Sequence, residues 1–483
     1  MGLFNWIKGV ISRMFTDTAK QQFGVEPVVS SSMDAAIRRW MDTYSGRPDW
    51  IDPDEDGEDA IRTINFAKAI CSETARLTTL AIGINLSGGV RAAWLQSQVD
   101  KAIYPRLRKW VEYGCAGGTV IFKPNGNGID VVTPDRFLVT ETDSNKKITG
   151  IIFQDTYTIG KVIYTKLEYH RFEHYSAVQE DGQRAEQTVY QISTKTFRSY
   201  SENSIGSEIP ITETKWNGIE PEVSVVKAND DKIDSMLFGV LTMPEANNID
   251  LDSPLGMSIF SAAMEELKDL DIAYSRNAYE IDNSNVIELL DDTLVQQDGS
   301  KASKGKRIHL PSHVLNVFGN GMETFYQQID RPIKTDVRKI GINQQLSFIG
   351  YKCGFSNGYF VFDEKTGMAT ATQVESDDRR TIQLIKDIRD SLQSALDDTI
   401  YAMNVFADLY GWAPVGNYKV QYDFGDITYN EDEDRARNYQ LMLQNIIPKW
   451  YYLVKFEGFS EDEAKALVDE ASVKAPQLFG DEE

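Results

Sequence analysis

The sequence predicts an α+β protein of about three folding units. Apolar residues recur every three or four positions before residue 114 and again after residue 253, which predicts helices in both halves of the chain. From about residue 119 to residue 200, apolar and polar residues alternate, which predicts an antiparallel sheet. The length of 483 residues and the hydrophobic content of 41% suit a globular chain with a large core.

The first half is predicted to begin with helices at 33–45, 60–82 and 94–114. Strands joined by short turns follow, and the Asn-Gly-Asn-Gly sequence at Asn125 is typical of a hairpin turn. One face of such a sheet can lie against solvent or a neighbouring subunit. The predicted strands are 119–123, 129–132, 137–140, 148–155, 162–172, 188–193 and 196–200.

The second half is predicted to be mainly helical. Ser253 and Pro254 suit the start of a helix with one apolar face and one acidic face. A β-rich stretch covers about 286–329, and a second helix runs from Asp330 to about residue 350. A loop punctuated by Gly and Asn then extends from Gly354 to Thr370.

A long helix is predicted from Thr370, and about 40 residues at 1.5 Å each would give a rod of roughly 60 Å. A strand at Tyr418–Phe424 is expected to return to the sheet, and Glu431–Asp434 opens a terminal helical segment. Ser460 and Glu463 have the spacing of a capping box. The apolar stripe of the long helix contains Ile385, Ile388, Leu392, Leu396, Ile400, Met403 and Ala407.

The balance of acidic and basic residues limits the classes of function that this chain can have. Lys and Arg number 50 and Asp and Glu number 73, so the formal net charge is −23. A protein that grips nucleic acid needs cations that displace counterions from phosphates, so this total argues against tight nucleic-acid binding. It does not exclude a protein through which nucleic acid passes without adhering.

The cysteines and the N-terminal residues indicate in which compartment the chain folds and whether it contacts a membrane. Cys71, Cys115 and Cys353 are widely spaced and lack zinc-site spacing, which favours a reducing, intracellular site of folding. No stretch approaches the roughly 18 apolar residues of a membrane span, so no membrane partner is expected. The apolar first 15 residues, interrupted by Lys8 and Arg13, are interpreted as an amphipathic helix that docks on a partner or neighbouring domain. A helix on a membrane surface is the alternative.

Six acidic residues occupy the eight positions from 52 to 59. The pattern matches the first half of a calcium-binding loop, but Thr63 stands where a bidentate Glu is required. Half of a ligand set binds calcium poorly. We therefore interpret the segment as an exposed acidic loop whose last carboxylates favour the N-terminus of the next helix.

No enzymatic motif is recognisable. His170 and His174 lie in a strand pattern that separates them by about 13 Å, too far for one metal ion. His309 and His313 flank Pro311 in an extended stretch, and all four are interpreted as structural. Serine-nucleophile, zinc-protease and phosphate-loop motifs are absent. The sequence therefore predicts no catalytic residue, metal or cofactor.

Four cations in the β-rich stretch either contact phosphates or belong to a solvated loop. The interleaved aromatic residues of a nucleic-acid reader are not visible around them. Aromatic residues do occur in the loop from Gly354, where core packing is the simplest explanation for at least half of them. The four cations are Lys301, Lys304, Lys306 and Arg307.

Several motifs point to one family. The long helix opens with Met-Ala-Thr-Ala-Thr-Gln-Val-Glu-Ser at Met368, preceded by Phe348–Ser356 and by the helix–insert–helix order. Trp110–Gly118, followed by Phe122–Pro124 and Pro134–Phe137, marks a helix-to-sheet transition. In their order and spacing, these features resemble the portal proteins of tailed bacteriophages, particularly the siphophage branch. Gln373 stands where Glu is common in that branch.

The resemblance implies a ring, typically of twelve subunits, at one capsid vertex, through which double-stranded DNA is packaged and ejected. The portal fold has a wing of helices and antiparallel sheet, a helical stem, a small β-rich clip, a long spine helix and a helical crown. Its implied boundaries here are 1–250 with 412–430 for the wing, 253–285 and 331–353 for the stem helices, 286–330 for the clip, 354–370 for the channel loop, 371–411 for the long helix and 431–483 for the crown.

The family's partners are further copies of the chain, DNA passing without sequence specificity, and the packaging motor with its terminase large subunit. They also include the head–tail adaptor and the major capsid and scaffold proteins. The resemblance thus implies a place in the virion after assembly in the host bacterial cytoplasm. An acidic stem would repel the DNA that passes through it.

Two sets of residues are predicted to face the channel. The stem would contribute acids from Glu265, Glu266, Asp269, Asp271, Glu280 and Asp282. The channel loop would contribute Phe355, Asn357, Tyr359, Phe360, Asp363, Glu364 and Lys365. Two alternatives stay open: another virion component, such as an adaptor or coat-like protein, and an enzyme with a carboxylate metal site at 52–59.

Overall fold

The structure, a computed structural model, has the predicted α+β fold and consists of two compact units, Met1–Asp423 and Phe424–Glu483. The residues that it describes are 15–52, 54, 60–126, 128–178, 184–225, 233, 235–282, 287–291, 314–317, 326–329, 335–361, 371–425, 431–444, 446–457 and 459–473.

The helices of the first unit mostly match the predicted ones. The predicted helix 94–114 is divided into α4 and α5, which are joined by a π-helical turn at Val99–Ile103. Pro105 lies just before α5, and its ring and missing N–H prevent a continuous helix. The described helices are α1 (residues 15–23), α2 (Ser31–Tyr44), α3 (Phe66–Thr78), α4 (Val90–Gln98), α5 (Leu107–Gly117), α6 (Met264–Asp282), α7 (Thr335–Lys352) and α8 (Ala371–Leu409).

The strands of the main sheet are β4 (Phe137–Thr142), β5 (Ile148–Ile159), β6 (Val162–Val178), β7 (Arg184–Ser199), β8 (Ser207–Ile209) and β9 (Glu222–Val225). They pair antiparallel in the order β4-β5-β6-β7-β8, and β9 also pairs with β7. The strands predicted at 188–193 and 196–200 are therefore one strand, because the pairing of β7 with β6 is continuous.

Three smaller sheets accompany the main one. β2 (Thr119–Pro124) lies between β3 (Ile129–Val132) and β10 (Gly239–Thr242), and β1 (Gly83–Gly88) pairs with β14 (Tyr418–Asp423). The strand at 418 thus pairs with β1, which the sequence did not predict as a strand, and not with the main sheet. β11 (Ile287–Asp291) lies between β12 (Val314–Val317) and β13 (Tyr326–Ile329).

The predicted helix start at Ser253 is wrong, because α6 begins at Met264. The backbone before it is held to the end of α5 and the start of β2: Gly256 N–H donates to Thr119 Oγ1 over 2.9 Å and Ile259 N–H to Cys115 O over 3.0 Å. These bonds replace the helical ones that Ser253 and Pro254 would otherwise start.

The long helix α8 forms the centre of the first unit. Its predicted apolar stripe is buried throughout, and it packs against β2, β10, α3 and α4. The buried Arg389 guanidinium donates to the carbonyls of Leu77, Thr78 and Leu80 over 3.0–3.3 Å, and so satisfies the C-terminal end of α3. Arg91 of α4 likewise donates to Pro414 O and pairs with Asp408.

The second unit contains α9 (Glu431–Leu443), α10 (Lys449–Glu457) and α11 (Glu461–Val473). The predicted capping box is confirmed: Ser460 N–H donates to Glu463 Oε2 over 3.1 Å and Glu463 N–H to Ser460 Oγ over 3.4 Å. Arg435 of α9 donates to Tyr452 Oη over 3.2 Å, which ties α9 to α10.

We predict that Gly239→Ala strongly destabilises the first unit. A Cβ at Gly239 would overlap the carbonyl oxygen of Ala395 and the hydroxyl of Thr399 on α8. The expected loss of unfolding free energy is about 3 kcal/mol or more, measured by urea denaturation. The control is Gly83→Ala, where the nearest atom is Asp423 Cβ at 3.4 Å, and its expected effect is within about 0.5 kcal/mol. Equal effects of the two variants would contradict this packing.

Candidate functional site

The helices predicted as the stem, α6 and α7, form an antiparallel pair. Lys352 Nζ donates to Glu266 Oε1 over 2.6 Å near one end of the pair, and Arg338 forms an ion pair with Glu280 near the other. Because position 266 meets position 352 while position 280 meets position 338, the two helices run in opposite directions. Their buried apolar side chains include Leu267, Leu270, Leu346 and Ile349.

The predicted channel acids differ in whether they are paired within the protomer or exposed. Glu266 and Glu280 form the ion pairs that join α6 to α7, so their charges are compensated within one protomer. Glu265 and Asp269 are exposed, and Glu265 has a loose ion pair with Arg39 at 3.7 Å. The side chain of Asp282 lies outside the described residues.

Asp271 requires a correction, because it is buried within the protomer and does not present a charge to a passage. Its carboxylate accepts hydrogen bonds from Trp50 Nε1 and from Ile64 N–H, each over 3.0 Å. Burial raises the pKa of Asp271, and these hydrogen bonds oppose the increase. Asp271 therefore holds both ends of the segment that contains the acidic loop.

The beginning of the predicted channel loop also differs from expectation. Phe355 is fully buried, with its ring centroid 4.7 Å from that of Phe360, so it is a core residue. Ser356 N–H donates to Thr381 Oγ1 of α8 over 2.9 Å, and the Tyr359 hydroxyl donates to Glu73 of α3. Residues 354–361 are thus packed on α3 and α8.

Asn357, also predicted to face the channel, is exposed. Asp363, Glu364 and Lys365 of the channel loop lie outside the described residues, as does the basic run Lys301, Lys304, Lys306 and Arg307.

Helix α7 has apolar side chains on two opposite faces. One face contains Leu346 and Ile349 and is buried against the protomer. The other is an exposed stripe of four side chains at helical spacing, which we call the α7 stripe. Their exposed fractions are 67% for Val337, 68% for Ile340, 49% for Phe348 and 60% for Tyr351. A helix that is apolar on both faces is normally covered on both, so the α7 stripe is a candidate contact surface.

A buried charge network in the sheet region was not predicted from the sequence. Glu168 accepts from Lys123 Nζ over 2.8 Å and from Lys166 Nζ over 2.9 Å, and it lies 2.7 Å from His170 Nε2. The Tyr190 hydroxyl lies 2.7 Å from His170 Nδ1. Positions 166, 168 and 170 follow a period of two, which places Lys166, Glu168 and His170 on one face of β6. This alternation was the feature of the sequence that could have predicted the network.

The hydrogen bonds define the tautomer of His170. Because the Tyr190 hydroxyl accepts from Leu237 N–H over 3.3 Å, it is free to donate to Nδ1, and Nε2–H then donates to Glu168. Burial lowers the pKa of His170 against the opposite influence of Glu168, so the imidazole is neutral. Burial opposes ionisation of Glu168, but Lys123, His170 and Lys166 together hold its pKa well below the usual range.

The metal-ligating and thiol side chains of the described residues are either dispersed or buried. No three His, Cys, Asp or Glu side chains come together there as metal ligands. His174 Nδ1 lies 2.9 Å from Thr188 Oγ1 on the paired strand. Cys71, Cys115 and Cys353 are free and buried, and burial raises the pKa of each thiol. None of the described helices is long and apolar enough to cross a membrane.

We predict that His170 makes folding sensitive to mild acid. Its folded pKa lies below the ordinary 6.5, so its contribution to stability is full above about pH 6.5 and decreases as the pH falls towards the folded pKa. Glu168 adds a loss in the same direction below its ordinary pKa of 4.5. The expected result is a decrease in unfolding free energy between pH 7 and pH 5.5, measured by urea denaturation.

The variant His170→Gln should flatten this pH dependence, because an amide can donate to Glu168 but does not titrate. The matched control is His174→Gln, at an exposed His on the same strand, which should keep the original slope. An unchanged slope in His170→Gln would contradict the assignment.

Comparison with known proteins gives no family. No protein-family model matches the chain, and the comparison with curated proteins found no match. A chain from the solved virion of a native gene transfer agent (GTA) particle is similar over 94% of this chain and 99% of its own length, with 10% sequence identity and a TM-score of 0.37. A similarity at this level assigns neither a family nor a function.

Proposed function

We propose that the chain is a portal-type virion protein that assembles into a ring, around which a phage-like capsid vertex is built. The ring would be the conduit for packaging and ejection of double-stranded DNA. The observation that carries the proposal is the α7 stripe on a helix–sheet–helix module, in which α6 precedes and α7 follows the strands β11, β12 and β13 along the chain.

The α7 stripe supports assembly on energetic grounds. Full burial of one large apolar side chain is worth about 1.5–3 kcal/mol. Four half-exposed side chains at one contact, repeated at every interface of a ring, would therefore contribute several kcal/mol per copy. The ion pairs Glu266–Lys352 and Glu280–Arg338 keep α6 and α7 together in the single protomer, so the stripe is presented before assembly.

The charge of the chain suits a conduit. With a formal net charge of −23, repeated copies would repel phosphate and avoid the many cation contacts that hold DNA in place. Glu265 and Asp269 are the described α6 acids available for a passage, since Glu266, Asp271 and Glu280 are engaged within the protomer. We assign the chain no catalytic residue, metal or cofactor.

The remaining parts of the proposal follow from the family resemblance. The wing, stem, clip and crown would have the boundaries given above, and the ring would most simply contain twelve copies. Its partners would be the terminase large subunit of the packaging motor, the head–tail adaptor, and the coat and scaffold proteins. Its place would be the capsid vertex, after assembly in the host bacterial cytoplasm.

We predict that the double variant Val337→Asp/Ile340→Asp prevents ring formation while the protomer stays folded. Two carboxylates in the α7 stripe would have to lose water at the contact, which costs several kcal/mol. Negative-stain images and light scattering measure the particles, and circular dichroism measures folding. The matched control is Ile159→Asp, at a residue 63% exposed at the end of β5, which should leave rings intact.

These images also test the function. A wild-type protein that stays a monomer without a central hole in every assembly condition would overturn the proposal. Rings that persist in the double variant would show that the α7 stripe is not the contact. A ring that lacks an open central channel would instead favour the adaptor or coat-like alternative.

We further predict that replacing Asp363-Glu364-Lys365 with Gly-Ser-Gly lowers DNA packaging but leaves ring assembly unchanged. The replacement stops short of residues 354–361, whose packing on α3 and α8 would be lost in a larger deletion. The measurement is nuclease-protected DNA per particle assembled with coat and scaffold proteins. Normal packaging by this variant would count against a channel role for the loop.

A further inference from the structure

A group of exposed cations on α5 and the π-helical turn before it is prominent on this acidic chain. The eleven residues from 101 to 111 contain four cations and no acid. These cations, Lys101, Arg106, Arg108 and Lys109, are all exposed, and we call them the basic patch. Among the described residues, no ion pair involves Lys101 or Lys109. Such a surface attracts an anionic partner, because only water and salt otherwise screen the repulsion between its cations.

The basic patch has a fixed position on the first unit. Trp110 of α5 is buried, and its ring centroid lies 5.2 Å from that of an aromatic ring on β2. The other side of α5 faces solvent, and the spacing of three residues places Arg106 and Lys109 next to each other on it. Arg106 Nη1 lies 3.5 Å from Ala102 O, so this side chain folds back towards Lys101. The cations are therefore presented together.

One carboxylate lies near the basic patch, but another cation already compensates its charge. Arg76 donates to both oxygens of Glu73 over 2.7 and 2.8 Å, and the Tyr359 hydroxyl donates to the same carboxylate. The hydrogen bonds from Arg76 are the main reason that the pKa of Glu73 is lowered, and Arg108 adds a smaller electrostatic effect. Glu73 thus stays ionised and paired with Arg76, and the charge of Arg108 remains available at the surface.

The same contacts place the basic patch beside residues 354–361. Tyr359 is bonded to Glu73, and Arg108 is close enough to Glu73 to lower its pKa. Phe360 packs on the same helix, with its ring centroid 5.2 Å from that of Phe66. Residues 354–361 lead into the part of the chain that is proposed above as the channel loop. In the proposed ring, DNA that meets this loop would pass close to the start of α5.

We propose that the basic patch contacts the phosphate backbone of the double-stranded DNA that passes through the ring. This inference rests on the proposed function. Duplex DNA has about one negative charge per 1.7 Å of helix axis, so a cluster of four cations meets phosphates whatever the base sequence. Contacts to phosphates position a duplex without reading its sequence, which suits a conduit for a whole genome.

The number of cations limits how tightly the DNA would bind. Proteins with about 6–10 phosphate contacts bind strongly at low salt and lose roughly 10³–10⁵ in affinity when the salt is raised. The four cations of the basic patch fall below that range, so they would guide the duplex and release it readily. An acidic protein surface would also be attracted to the basic patch, but its position beside residues 354–361 favours DNA as the partner.

Binding of a short fluorescent DNA duplex to the full chain at several salt concentrations tests the contact. Lys101→Gln/Lys109→Gln removes two of the four charges. The slope of log affinity against log salt concentration should decrease in magnitude by about 2, since each phosphate contact contributes about 0.9. Lys101→Arg/Lys109→Arg keeps both charges and should keep the wild-type slope. The matched control, Lys161→Gln/Lys419→Gln, removes the same net charge at exposed lysines elsewhere and should also keep it.

Mass photometry measures the assembly of these variants, and circular dichroism measures their folding. A smaller slope in Lys101→Gln/Lys109→Gln alone, with equal affinity for two duplexes of different sequence, supports the contact. An unchanged slope in this variant, or no binding by the wild type at low salt, overturns the inference but leaves the proposed ring intact.

Three further outcomes would also overturn the inference. Loss of assembly in Lys101→Gln/Lys109→Gln at an unchanged slope would favour an acidic surface of a second copy as the partner. Displacement of the duplex by inorganic phosphate at constant ionic strength would favour a site for a single phosphate group. A wild-type protein that never forms rings overturns the inference together with the proposed function.

Discussion

The structure of the first unit depends on how the long helix α8 is fixed to its surroundings. Arg389, buried at the middle of α8, satisfies carbonyls at the end of α3 that would otherwise lack partners. A buried guanidinium without these acceptors would cost several kcal/mol. The same helix packs against β10 so closely that Gly239 leaves no room for a Cβ. Helices α3 and α4 and the sheet of β2, β3 and β10 are therefore positioned relative to one rigid element.

Several acidic residues of this chain form their contacts inside the protomer. Asp271 accepts from the Trp50 side chain and from the Ile64 backbone on either side of the acidic segment at positions 52–59, Glu266 and Glu280 join α6 to α7, and Glu168 neutralises two buried lysines. These four acids and the four cations Lys123, Lys166, Arg338 and Lys352 sum to a formal charge of zero, so the net charge of −23 is carried by the other residues of the chain. The apolar residues of α7 differ in this respect, since those on its second face, the α7 stripe, are exposed in the protomer.

The sequence predicted features that rest on local periodicity and missed those that rest on tertiary contacts. The stripe of α8, the capping box at Ser460 and most strands follow from spacing alone, and the structure contains them. The start of α6 was predicted too early, because Gly256 and Ile259 bond to α5 and β2, which are remote in sequence. Among the site residues, Asp271 and Phe355 were assigned to the channel from the residue types of their helix and loop. Only contacts with Trp50, Ile64 and Phe360 reveal that they are buried.

The Glu168 network has a consequence for how this sequence can diverge. Loss of Glu168 alone would leave two lysines without a counter-charge in a site from which water is largely excluded. Loss of either lysine would leave the buried carboxylate with too little positive charge beside it. Single replacements at positions 123, 166, 168 and 170 are therefore disfavoured, whereas joint replacement by an apolar set of similar volume is tolerated. In related chains these four positions should vary together, and their covariation would identify the same sheet even where overall identity has fallen too low to align it.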